Sequence, residues 1–100
     1  MIPEDELKRR KELDRAAKAK VILENPLFEE AFVAVREGYI KKWHASRPEQ
    51  AELRELLWWS VRALDDVALA LKSAIVTGDM AQKQLAEMVE GRAQTRRRRA

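Results

Sequence analysis

A chain of 100 residues has room for one domain, and 46% apolar with 37% charged residues suits a helical, coiled-coil-like protein better than a β protein. The absence of cysteine excludes disulfides, thiol nucleophiles and cysteine-ligated metal, and fits a reducing compartment. Arg96, Arg97, Arg98 and Arg99 account for the net charge of +3: removing those four charges leaves −1, so the basicity belongs to a tail and not to a face.

No apolar run approaches the length of a bilayer span, and the acidic start Glu4-Asp5-Glu6 lacks a signal-peptide core. The expectation is an intracellular protein with no membrane contact. Residues 1–25 form a first segment, with a charged helix over 4–24. Ala16, Ala17 and Ala19 favour it, and pairs such as Asp5 with Arg9 add i,i+4 support. Its apolar positions are thin: Leu7, Leu13, Ala17 and Val21. It either docks on a neighbour or frays.

Asn25-Pro26 predicts a new helix start, because Asn is a good N-cap and Pro at the first helical position loses no hydrogen bond. Residues 26–45 carry a stripe of Phe28, Phe32, Val35 and Tyr39, with Trp43 at its edge. Ser46-Arg47-Pro48-Glu49 has the form of a capping box with Pro in the first turn. A connection this short between two long amphipathic helices predicts an antiparallel hairpin over residues 26–78. The second arm has an apolar seam at Leu53, Leu57, Ser60, Leu64, Val67, Leu71 and Ala74, in alternating steps of four and three.

Gly78 predicts the end of that arm, because a left-handed glycine commonly follows a helix. Asp79-Met80-Ala81-Gln82 then restarts a short helix over 79–91, with Met80, Leu85, Met88 and Val89 as its apolar residues. Residues 92–100 read as a disordered basic tail on composition. The expected fold is all-α: an antiparallel hairpin of two long helices with flanking N- and C-terminal helices.

A hairpin core uses one face of each helix, yet each long helix carries a second apolar stripe. Trp58, Leu69 and Val76 form one. Val33 and Ile40, about 120° round from the Phe28 stripe, form the other. Exposed apolar surface of this kind marks an interface, for self-association or for a protein partner. The alternative is a closed four-helix monomer in which the terminal helices cover both stripes.

Chemistry is sparse. His44 is the one histidine, at a helix C-terminus where the dipole favours it, so no zinc-type metal site is expected. Asp65 and Asp66 are adjacent and diverge by about 100° on a helix, so they do not face one another. Glu29-Glu30 complements a helix N-terminus. No Gly-rich phosphate loop exists. The expectation is no enzyme, no cofactor and no metal. Trp58-Trp59 is a possible base-stacking pair, but adjacent helical positions diverge and an interface or core role fits better. Arg96, Arg97, Arg98 and Arg99 are the candidate phosphate contacts, giving a salt-sensitive affinity without sequence preference.

The run Leu23-Glu24-Asn25-Pro26-Leu27-Phe28-Glu29-Glu30-Ala31-Phe32, then Tyr39-Ile40 and Trp43, resembles small uncharacterised all-helical proteins encoded by tailed bacteriophages. So does Glu55-Leu56-Leu57-Trp58, followed after Thr77-Gly78 by Met80-Ala81-Gln82-Lys83-Gln84-Leu85. The likeness covers roughly residues 16–90 and carries no catalytic motif. It implies a phage protein of the bacterial host cytoplasm or the virion, acting near head assembly and DNA packaging. The expected function is a non-enzymatic, self-associating accessory factor, small-terminase-like or scaffold-like, whose basic tail touches DNA or an acidic partner. The alternatives are an inhibitor of a host protein and a DNA-binding regulator.

Overall fold

A computed structural model describes residues 3–99; Met1, Ile2 and Ala100, which belong to the predicted terminal segments, lie outside the described residues. The protein is all-α. Among the described residues three helices follow in order: α1 (Glu4–Leu23), α2 (Pro26–Ala45) and α3 (Ala51–Arg99). No strand occurs among the described residues.

The break before α2 is built by Asn25. Its backbone is extended, and its Oδ1 accepts from the N–H of Leu27 at 2.9 Å and of Phe28 at 3.2 Å. Pro26 stands at the start of the helix, where its missing N–H has no partner to lose. The next turn differs from expectation. Ser46 closes α2 instead of opening α3: its N–H and its Oγ both donate to the Trp43 carbonyl. Pro48 lies in a turn in which the Gln50 N–H donates to the Arg47 carbonyl at 2.9 Å, and α3 begins only at Ala51. The Gln50 side chain returns the favour at 2.8 Å, accepting from the Arg47 N–H. Gln50 therefore does the work that the capping box assigned to Ser46 and Glu49.

The second departure is larger. α3 runs through Gly78 without interruption, and no glycine has a positive φ. There is no separate helix over 79–91, and residues 92–99 are helical instead of disordered. A mid-helix glycine costs only about 1 kcal/mol, which neighbouring packing offsets. The packing is visible: a Cβ built on Gly78 would overlap the Ala16 Cβ, so the glycine serves a close helix approach and not a helix end. With α3 continuous, the N–H groups after Asp79 already have intrahelical partners and leave nothing for a cap to satisfy. At the far end, basic residues complement the C-terminal dipole, and Thr95 Oγ1 donates to the Gly91 carbonyl at 2.9 Å.

The chain divides into two compact units, residues 21–71 and residues 3–20 with 72–99. In the first, Leu57 is the buried residue, followed along α3 by partly buried Val61, Leu64, Ala68 and Leu71. Of the expected seam, Leu57, Ser60, Leu64, Leu71 and Ala74 are buried or partly buried, whereas Leu53 and Val67 are exposed and Val61 and Ala68 turn partly inward. On α2, Phe28, Phe32, Tyr39 and Trp43 are partly buried as a stripe, but Val35 is exposed and Arg36 takes the inward place. The reason is an ion pair: Arg36 Nε and Nη2 donate to the two carboxylate oxygens of Asp65 at 2.8 and 3.2 Å. Contacts in this unit run in opposite chain order, Trp43 with Arg54 and Arg36 with Asp65.

In the second unit the core is made of small residues. Ala16, Ala19, Gly78 and Ala81 are buried, and so is Glu6, held by Arg10 and Arg92. Of the apolar positions the sequence offers on α1, Leu7 and Ala17 are exposed and Leu13 is partly buried, while Val21, exposed as well, belongs to the other unit. Alanine and glycine win because they let backbones approach more closely than leucine would, so each helix gains contact along its main chain.

Candidate interaction surfaces

Within residues 21–71, the end nearest the turn is organised by Trp43. The Arg54 guanidinium lies 4.1 Å from its ring centroid, a cation–π contact, and the Arg54 Nη1 donates to Ser46 Oγ at 3.0 Å. His44 meets the same indole edge-on, with centroids 5.5 Å apart. Beside this cluster is an apolar cleft of about 230 Å³ lined by Ile40, Trp43, Leu57, Trp58 and Val61. Trp58 and Trp59 are in edge-to-face contact, 4.9 Å apart, and Arg62 lies 6.0 Å from the Trp58 ring centroid.

The sequence-predicted interface residues are accessible. Val33, Trp58 and Leu69 are exposed, whereas Ile40 is partly buried in the cleft wall. Val76 is exposed in the other unit. On α3, however, Arg62 and Asp65 stand between Trp58 and Leu69, and Asp65 is engaged by Arg36. The stripe is thus two apolar islands around a polar bridge, not a continuous apolar strip.

Within the other unit, the four predicted phosphate contacts separate. Arg96 and Arg99 join Arg92 along one side of a groove of about 700 Å³ whose opposite wall includes Asp5 and Glu6. Arg97 and Arg98 are outside that lining, as successive steps of about 100° require. Glu6 is the electrostatic centre. It accepts from Arg10 at 2.9 Å and from Arg92 at 2.6 Å. The Arg10 hydrogen bond, supported by Arg92, holds its carboxyl below the usual carboxylate range, against the opposing pull of burial. Glu6 and Arg92 are absent from the sequence-derived sites. The available signal was spacing: Arg92, Arg96 and Arg99 recur at four and three residues, one face of a helix.

Among the described residues, no group of three or more His, Asp or Glu side chains is placed to hold a metal ion. No helix there is long and apolar enough to cross a membrane. Against known family models, curated proteins and solved structures, the chain gives no match.

Proposed function

We propose that the chain is a non-enzymatic assembly protein that self-associates through an antiparallel hairpin formed by α2 and the first part of α3. One observation carries this reading: within residues 21–71 Leu57 is the one large apolar side chain among the buried residues, while Leu27, Leu56, Trp58, Trp59 and Leu69 are more than half exposed. Apolar surface on this scale is stabilised by being covered. The resemblance to tailed-phage proteins supports a place in virion assembly or DNA packaging, small-terminase-like or scaffold-like. The four terminal arginines would reach DNA phosphates or an acidic partner. Their position around the last helical turn suits contacts to a backbone and not base reading.

Light scattering tests the self-association: the expected result is a mass at least twice that of the 11.6 kDa chain at tens of micromolar. A monomer there refutes it. A gel-shift series in rising salt tests the arginines. The expected loss follows a log–log slope of at most about −4, near −0.9 per phosphate neutralised. Unchanged binding after removal of residues 96–100 moves the contact elsewhere. The alternative of a host-protein inhibitor is favoured by one feature, the Ile40–Trp43–Trp58 cleft, which would take a single apolar side chain from a partner.

A further inference from the structure

The hairpin reading leaves open which side is covered, and the residue pattern on α2 and α3 answers it. On α2, Leu27, Ala31, Ala34 and Gly38 recur in steps of four, three and four, on the side of the helix away from Ile40 and Val33. Leu27, Ala31 and Ala34 are exposed, and the space above Gly38 is open, with nothing within 4 Å of a built Cβ. On α3, Leu56, Trp59, Ala63, Val67 and Ala70 recur in the same manner and are all exposed. No charge interrupts this second row; the Arg62–Asp66 ion pair runs along its rim.

Both rows lie about 120–130° from their own helix's inward stripe, and in the same rotational sense. In antiparallel helices, equal rotation in the same sense brings two stripes to the same broad side of the pair. The two rows therefore form one continuous face of small and apolar residues. It is opposite the side bridged by Arg36 and Asp65.

We infer that this face is covered by a second copy of the chain, packed face to face with its helices antiparallel to those of the first, as a four-helix layer pair. The inference rests on the proposed self-association and specifies its geometry. Three observations select a second copy. The two rows present on the order of 700 Å² per chain, close to the ~800 Å² per partner of a stable interface. Size alternates in a self-complementary way about Ala63: Leu56 comes opposite Ala70 of the other copy, and Trp59 opposite Val67, so large meets small. Charge agrees with the antiparallel arrangement, because Lys41 and Glu30 lie on the same flank of the α2 row and fall beside one another across the two copies.

The chain has no cysteine, so a single Ala63→Cys substitution reports on the two-fold axis without background. Under mild oxidation the variant is expected to form a covalent dimer rapidly and almost completely, because the two Cα atoms come within disulfide reach. An Ala70→Glu variant is expected to raise the dimer dissociation constant about 100-fold or more by placing an unpaired carboxylate in the interface. Circular dichroism checks that it remains helical; if it does not, the cross-link decides alone. A wild type that scatters as an oligomer but shows neither effect overturns this face and leaves self-association standing. A wild-type monomer overturns both.

Discussion

Arg92 Nη2 lies 2.6 Å from Glu6 Oε2, joining side chains 86 positions apart in the chain. The carboxylate is buried and the guanidinium half exposed, so Glu6 gives up water only because Arg10 and Arg92 replace it. This bond ties the start of α1 to a stretch whose composition alone reads as disordered.

It also sets a pH dependence. The folded Glu6 carboxyl titrates below its ordinary value, with the Arg10 hydrogen bond the foremost cause. A carboxylate lowered on folding adds stability that is present above the unfolded pKa of about 4.3 and is lost as pH falls through the folded value. Glu6→Gln should therefore melt lower than wild type at pH 7, and the gap should narrow below about pH 4. Thermal melts followed by circular dichroism between pH 7 and pH 3 check this. A gap that stays constant with pH would show that Glu6 acts through packing and not through charge.

Gly78 gives a prediction whose sign is opposite to helix propensity. Replacing a mid-helix glycine by alanine ordinarily adds about 1 kcal/mol. Here the new methyl would collide with Ala16, so Gly78→Ala should cost about 1–3 kcal/mol. Gly38→Ala and Gly91→Ala meet open space and should be neutral or stabilising in the isolated chain. Ala16→Gly placed on the Gly78→Ala background should recover part of the loss. Urea titrations of the five proteins decide it; equal effects at Gly78 and Gly91 would remove the close approach from the account.

The same glycine shows where the sequence is legible and where it is not. The all-α class, the Asn25-Pro26 start and the boundaries of α2 follow from local chemistry: a cap, a proline and a 3.6-residue period act within a few residues of themselves. Gly78 and Asp79 carry the local chemistry of a break, but Ala16, 62 positions away, reverses it, and no local rule contains that contact. Arg36 displaces Val35 from the inward side for the same reason, because its partner Asp65 is 29 residues distant. At the candidate sites, accessibility of Trp58 and Leu69 follows from counting apolar faces. The division of the terminal arginines between groove and outer side needs the buried Glu6, and a glutamate three residues into a helix reads from sequence as dipole complement only.

The Arg36–Asp65 pair is bidentate but 39% and 47% exposed, so solvent screens it. A double-mutant cycle with Arg36→Ala and Asp65→Ala should return a small favourable coupling that falls as salt rises from about 50 mM to about 1 M. Asp65 raises the Arg36 pKa, first through the hydrogen bond and then through charge. A coupling independent of salt would mean the pair is held by packing.

Leu57 and Val67 separate the protein's own core from surface that waits for a partner. Leu57 is 4% exposed, and Leu57→Ala should cost about 2–4 kcal/mol, the same at every protein concentration. Val67 is 53% exposed in a single chain, so Val67→Ala should cost less than about 0.5 kcal/mol in dilute solution. If a second copy covers Val67, that cost grows with concentration, because association stabilises the folded chain by mass action and the variant associates less. Melts at 1 and 100 µM read the difference directly. A Val67→Ala penalty that does not change between those concentrations would leave the apolar rows on α2 and α3 without the partner assigned to them.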